Sequence, residues 1–170
     1  QYKAVLKADG KVWVSGYNEY GTTGDGTSST KYNFIQVQGL TDVVAIESES
    51  NTMHALKSDG TVYSWGYNYY GSFGIGYTTS NNANYYPIQM QKVNNIIQIS
   101  AGENHIALLD ADGSVWQVGY NGNYQLGTNN TSNYSLPQQM LDQTGRKILY
   151  NVKEIAAGGY HEIVLKEDNT

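Results

Sequence analysis

The stretch Lys57–Gly76, K-S-D-G-T-V-Y-S-W-G-Y-N-Y-Y-G-S-F-G-I-G, carries two signals that point to different folds. At its head, Asp59-Gly60 separates the apolar runs Met53–Leu56 and Val62–Trp65. Asp-Gly in that setting marks a two-residue β-hairpin, whose type I′ turn needs positive φ at both central residues. At its tail, Gly71–Gly76 has the glycine spacing of a phosphate-binding loop. Such a loop also needs a lysine and a Ser or Thr after the last glycine, with a helix to follow. Tyr77-Thr78-Thr79 follows instead, and the counterpart Gly21–Gly26 is followed by Thr27, again without lysine. The glycines are therefore read as turn positions, and no nucleotide or other cofactor is expected.

The stretch recurs. Lys7–Gly26 reads K-A-D-G-K-V-W-V-S-G-Y-N-E-Y-G-T-T-G-D-G, Asp110–Asn129 reads D-A-D-G-S-V-W-Q-V-G-Y-N-G-N-Y-Q-L-G-T-N, and a fourth copy starts at Lys166. The turn aspartates Asp9, Asp59, Asp112 and Asp168 are 50, 53 and 56 residues apart. Asp9–Gly24, Asp59–Gly74 and Asp112–Gly127 each span 15 residues, and Val43–Asp59, Ile96–Asp112 and Val152–Asp168 each span 16. All the drift lies between, at 19, 22 and 25 residues for Gly24–Val43, Gly74–Ile96 and Gly127–Val152. A constant framework with one variable insert per repeat places loops on one face of a repeat protein. The expected organisation is one domain, 1–170, with repeats near 2–51, 52–104 and 105–160 and the start of a fourth at 161–170.

The hairpins are Tyr2–Leu6 with Val12–Val14, Met53–Leu56 with Val62–Trp65 and Ile106–Leu109 with Val115–Val118, and the runs Val43–Ile46, Ile96–Ile99 and Val152–Ile155 precede the second, the third and the start of a fourth. A weaker strand is expected near Ile35–Val37, Pro87–Met90 and Pro137–Met140. Nothing reads as a long amphipathic helix. Four antiparallel strands in roughly 50 residues, repeated, make an all-β chain of propeller blades. About three blades are present, an incomplete ring. The turn residues Asp9-Gly10, Asp59-Gly60 and Asp112-Gly113 then need no role beyond the hairpin.

Residues 101–121, A-G-E-N-H-I-A-L-L-D-A-D-G-S-V-W-Q-V-G-Y-N, with Gln125-Leu126-Gly127, resemble the blades of the regulator of chromosome condensation family. The resemblance recurs in phase three times. It implies propellers that are typically seven-bladed, more than twice this length. The chain starts inside one strand and stops inside a hairpin, so the expectation is a piece of a larger ring, completed by further polypeptide or by a second copy. The resemblance also implies a hydrogen-bonding column between blades, here Tyr2, Thr52, His105 and His161, with His54 two residues beyond Thr52. Three functions come with it. The nuclear member drives nucleotide exchange on a small GTPase and binds chromatin. Plant photoreceptor members use clustered tryptophans, whereas Trp13, Trp65 and Trp116 lie in hairpin return strands. Secreted bacterial members include an inhibitor that caps a hydrolase with an aromatic-rich face, and the composition fits that kind best.

Net charge is −5 with a single arginine, Arg146, which argues against wholesale neutralisation of nucleic-acid phosphates. Cysteine is absent, so thiol catalysis, disulfides and cysteine-ligated zinc are excluded. No apolar run reaches membrane-spanning length, and few charges among many Tyr, Asn, Thr and Ser suit an extracellular protein. The three histidines lack carboxylate partners in sequence, and no metal is expected. Glu47 and Glu49, on one face of a strand where other copies carry small residues, are candidates for a cation or partner contact. Asn129, Asn130 and Asn133 head overlapping glycosylation sequons.

The positive signal is tyrosine, 16 residues of it. Tyrosine offers rigid contact area with a polar tip, and small polar neighbours adapt around it. The repeating Tyr17, Tyr67 and Tyr120 are read as blade packing, whereas Tyr77, Tyr85, Tyr86 and Tyr134, in the inserts, are candidate partner contacts. The expected function is a non-catalytic protein-binding scaffold. The alternatives are a carbohydrate-binding module and a guanine-nucleotide exchange factor.

Overall fold

The computed structural model describes residues 1–79 and 83–170. Among them every regular element is a strand. These are β1 (Tyr2–Leu6), β2 (Val12–Gly16), β3 (Lys31–Gln36), β4 (Val43–Glu49), β5 (Thr52–Lys57), β6 (Val62–Tyr67), β7 (Ala83–Gln89), β8 (Ile96–Ala101), β9 (His105–Asp110), β10 (Val115–Gly119), β11 (Tyr134–Gln139), β12 (Val152–Ala157) and β13 (Glu162–Lys166). They form four antiparallel sheets, ordered β1-β2-β3, β4-β5-β6-β7, β8-β9-β10-β11 and β12-β13. The sheets are the blades, I to IV. They run out of phase with the sequence repeats, because each complete blade starts on the strand that precedes the hairpin.

The core is three seams between blades. Val12, Val14, Val37 and Leu40 of blade I meet Met53, Ala55 and Trp65 of blade II. Leu56 and Val62 on the other face of blade II meet Ile106, Leu108 and Val118 of blade III. Ala107, Leu109 and Val115 then meet Val152 and Ile155 of blade IV. Successive residues of a strand point to opposite faces, so a blade between two others needs apolar residues at consecutive positions. That is why β5 and β9 are buried almost end to end while β1 alternates.

The hairpin turns differ from the type I′ expectation. Lys57 O accepts from Gly60 N–H at 3.0 Å, Lys57 N–H donates to Thr61 O at 2.9 Å, and only Gly60, at φ +80°, is left-handed. This is a three-residue loop, a type I turn closed by a left-handed glycine. The aspartate has a separate role: Asp59 Oδ1 accepts from Thr61 N–H at 3.0 Å, and Asp112 Oδ1 from Ser114 N–H at 2.8 Å. The turns also join blades. Gly10 O, Gly60 O and Gly113 O each accept at 3.1 Å from the first N–H of the next blade, that of Val43, Ile96 or Val152.

The single variable insert per repeat resolves into two sites at opposite ends of the blades. Gly24–Gln36 and Gly127–Gln139 both span 12 residues, but Gly74–Gln89 spans 15, so repeat two is extended between β6 and β7. Gln36–Val43 and Gln89–Ile96 both span 7, but Gln139–Val152 spans 13, so repeat three is extended at the turn end, where Leu141 bridges to Ile148. Residues 80–82 of the first extension lie outside the described residues.

Candidate functional site

The end of the blades opposite the hairpin turns carries the loops β2–β3, β6–β7 and β10–β11, each opened by Gly-Tyr-Asn. The three residues have separate tasks. A Cβ on Gly66 would strike the Asn51 carbonyl, which accepts from Tyr67 N–H at 3.0 Å. Asn68 is buried and braces the loop, Oδ1 accepting from Phe73 N–H at 3.1 Å and Nδ2 donating to Tyr77 O at 3.2 Å. Asn18 and Asn121 brace their loops in the same way. With its flanks fixed, the tyrosine between them is held at the surface. Thr52 also donates its hydroxyl to Tyr67 O.

Glycine-rich segments then dock the first two loops on the next blade. Gly26 N–H donates to Tyr85 O at 3.0 Å and Gly76 N–H to Ser135 O at 2.7 Å. Their amides are spent on protein carbonyls, which is the structural reason for the phosphate-loop-like spacing.

Six tyrosines form a continuous ridge across three blades. Tyr17 lies 6.4 Å from Tyr20, Tyr20 lies 4.8 Å from Tyr67, Tyr67 stacks on Tyr69 at 6.0 Å, Tyr69 meets Tyr70 at 4.8 Å, and Tyr70 meets Tyr120 at 4.9 Å. Edge-to-face and offset contacts at these spacings are favourable in themselves, so the ridge is set before any partner arrives. Tyr160 of blade IV continues it. Its hydroxyl donates to Glu103, which raises its pKa, and the nearby Tyr120 and Tyr70 add to the rise. At the other end Tyr17 donates to Glu19.

Three of the six rings, Tyr17, Tyr67 and Tyr120, are the repeating tyrosines that the sequence assigned to packing. Of the four insert tyrosines, Tyr77 and Tyr86 are exposed, Tyr86 also touching Gly26 of blade I, whereas Tyr85 lies against Gly21 and the Tyr134 hydroxyl accepts from Asn130 Nδ2 at 2.9 Å. These four do not join one patch. Tyr20, Tyr69 and Tyr70, part of the same tyrosine signal after the hairpins, bridge one Gly-Tyr-Asn to the next.

The carboxylates are also placed differently from expectation. Glu49 is 3% exposed and faces His54, Oε1 to Nε2 at 3.4 Å. Glu47 is half-buried, which raises its pKa, opposed by His54 and by a hydrogen bond from Ala101 N–H of blade III. Ser100 occupies the equivalent place in blade III and accepts from Ala157 N–H at 2.9 Å. Glu47 therefore ties two inner strands together, and neither acid is a free surface contact. His54 Nδ1 sits 2.8 Å from Ser64 Oγ, which completes a Ser-His-Glu string. All three residues are buried, so the string is an internal brace with no room for a substrate at the serine. Among the described residues no group of three or more His, Cys, Asp or Glu could hold a metal ion.

The histidine column shows a steric coupling. In repeat three the His105 ring lies against Gly102, where a Cβ would strike the ring and stand 2.5 Å from Gly158 O. In repeat two both residues change, to Glu49 and Thr52. Gly102→Ala is expected to cost about 1–3 kcal/mol, as overpacked cores do, and His105→Thr should relieve part of it. Urea unfolding of the double-mutant cycle checks this, and strict additivity would refute the coupling.

The Regulator of chromosome condensation (RCC1) repeat matches residues 59–109 and 112–165, more than half of the chain, and a second form of the repeat matches 96–125. The chain belongs to the RCC1 repeat family. Two curated relatives are ubiquitin ligases. The probable E3 ubiquitin-protein ligase HERC4 of Homo sapiens is 29% identical over 163 residues, covering 94% of this chain and 15% of that protein. The E3 ubiquitin-protein ligase HERC2 of Mus musculus is 27% identical over 172 residues, covering 99% of this chain and 4% of that protein. Human WBSCR16 superposes with a TM-score of 0.80 at 21% identity, over 98% of this chain and 43% of its own. Yeast RCC1 (Prp20), in its complex with Kap60, superposes with a TM-score of 0.78 at 21% identity, over 98% and 40%. The chain thus spans a small part of these ligases and under half of each of these solved structures. At these identities the structural likeness establishes the fold alone.

Proposed function

We propose that this chain is a non-catalytic RCC1-repeat scaffold that engages a protein partner through its tyrosine-lined end. The observation that carries the reading is the six-ring ridge, preformed across three blades and held by buried asparagines. Binding surfaces concentrate their energy in rigid aromatic anchors. One structural neighbour points the same way: yeast RCC1 (Prp20) binds Kap60, and its binding to Gsp1p and histones has been characterised.

A photo-crosslinking residue placed at position 69 should yield a discrete protein adduct in cells, and one at position 112, on the turn end, should not. Truncating Tyr67 and Tyr70 to serine should weaken that complex roughly thirtyfold, the loss of a hot spot worth about 2 kcal/mol. Glycan-array binding with no protein adduct would establish the carbohydrate-binding reading instead. Guanine-nucleotide exchange is the second reading, favoured by the likeness to Prp20p. Acceleration of fluorescent GDP release from a small GTPase would support it.

A further inference from the structure

The charge around the ridge is one-sided. Of the ten lysines and arginines, only Lys3 and Lys31 lie at the ridge end of the blades, and Lys31 is already paired with Asp25 at 2.7 Å. The acidic groups at this end include Glu19 and Glu103, both exposed, one at each end of the aromatic line. The remaining cations sit at the turn end, among its aspartates. There they meet aromatic rings: Lys7 Nζ stands 4.1 Å above the Trp13 ring and Lys57 Nζ 5.8 Å from that of Tyr63. Among the described residues no lysine or arginine stands over a ridge tyrosine.

An aromatic face with carboxylates at its ends is complementary to cations, since ring quadrupoles attract ammonium and guanidinium groups and carboxylates accept their hydrogen bonds. Glu19 and Glu103 each spend acceptor capacity on one tyrosine hydroxyl and keep lone pairs free. The ring spacings of 4.8–6.4 Å fall below the roughly 6.6 Å at which same-side side chains recur in an extended chain, so such a chain sets fewer cations along the line than there are rings.

We infer that the ridge takes an extended partner segment bearing lysine or arginine at alternate positions, its cations over the tyrosine faces and its ends paired with Glu19 and Glu103. This rests on the interaction-surface reading above and specifies the chemistry of the partner.

The test uses the full chain and an alternating Lys-Ser octapeptide, with Gln-Ser, Glu-Ser and polyproline octapeptides as controls. Binding is followed by NMR of the tyrosine rings. The expected result is that Lys-Ser alone shifts Tyr67, Tyr69 and Tyr70, with an affinity that falls as salt rises. Glu19→Gln with Glu103→Gln should weaken it roughly three- to tenfold, as exposed ion pairs do. Tyr69→Phe should retain binding and Tyr69→Leu lose it, a contrast that a merely structural role would not produce. If the Gln-Ser or polyproline peptide binds the ridge equally well, the cationic inference fails while the protein-scaffold reading stands. Binding of Lys-Ser at the turn end, or of no peptide, overturns the inference as well. If a chito-oligosaccharide shifts the ridge tyrosines and no peptide does, both readings fail together.

Discussion

Truncating Trp65 to alanine is expected to cost about 3–5 kcal/mol, the usual range for a large aromatic removed from a core. In a chain of this size that corresponds to a fall of roughly 10 °C in Tm. Trp65 is fully buried, and its Nε1–H donates to Thr22 O of blade I at 2.9 Å. The variant loses apolar contact along the first seam and leaves a buried carbonyl without its partner. Blade II alone carries a tryptophan at this place, since the equivalent residues are Ser15 and Val118. The loss should therefore be local. In repeat architectures stability is close to a sum of unit and interface terms, so hydrogen exchange should quicken in β1 and β2 while β9 and β10 keep their protection. Uniform loss of protection across the chain would show that the seams are not separable.

The blades were legible in the sequence because their signals are local and repeated. Asp-Gly between apolar runs, in phase with a second run 16 residues upstream, leaves little besides a four-stranded sheet. The turn type was misread for a reason of geometry. A two-residue and a three-residue loop both put glycine at positive φ, and only the pairing of Lys57 with Thr61 tells them apart. The division of the insert into two was hidden as well, since the distance from Gly74 to Ile96 is the same wherever within it the extra residues fall.

The ridge was less legible than the blades. Repetition argued that Tyr17, Tyr67 and Tyr120 pack inside a blade, yet the same repetition stacks one tyrosine per blade at one end, where small neighbouring tyrosine pairs close the gaps. Of the residues that looked functional because they did not repeat, the two acids act as braces. Glu47 and Glu49 show why: an acid in place of Ser100 or Gly102 stands out in an alignment of copies, but its partners, Ala101 N–H and His54, come from other strands.

Glu162 should make the stability of this protein fall with rising pH. It occupies the place that Met53 and Ile106 hold in blades II and III, so a carboxyl enters an apolar seam. Burial pushes its pKa up to about 8, against an ordinary 4.5, although Gln117 Nε2 donates to it. His105 Nε2 lies 3.5 Å from Oε1, and burial lowers the pKa of that imidazole, with Glu103 O and Glu49 opposing the shift and His161 favouring it. Near neutrality the pair is therefore protonated Glu162 beside neutral His105, not an ion pair. For an acid whose folded pKa is raised, the folded state holds a proton that the unfolded state releases above pH 4.5. The stabilisation is thus full below about pH 4.5 and lost as pH climbs through the folded value near 8. His105 acts oppositely, weakening the fold below its unfolded pKa of 6.5, where only the unfolded state takes up a proton. Glu162→Gln isolates the first effect. Its stability should match the parent near pH 5 and exceed it by on the order of 4 kcal/mol above pH 8, measured by urea unfolding across the range. A difference that stays flat, or that favours the glutamate at high pH, would mean the seam holds a Glu162–His105 ion pair. Blade IV would then be docked by charge at the place where blades II and III carry Met53 and Ile106.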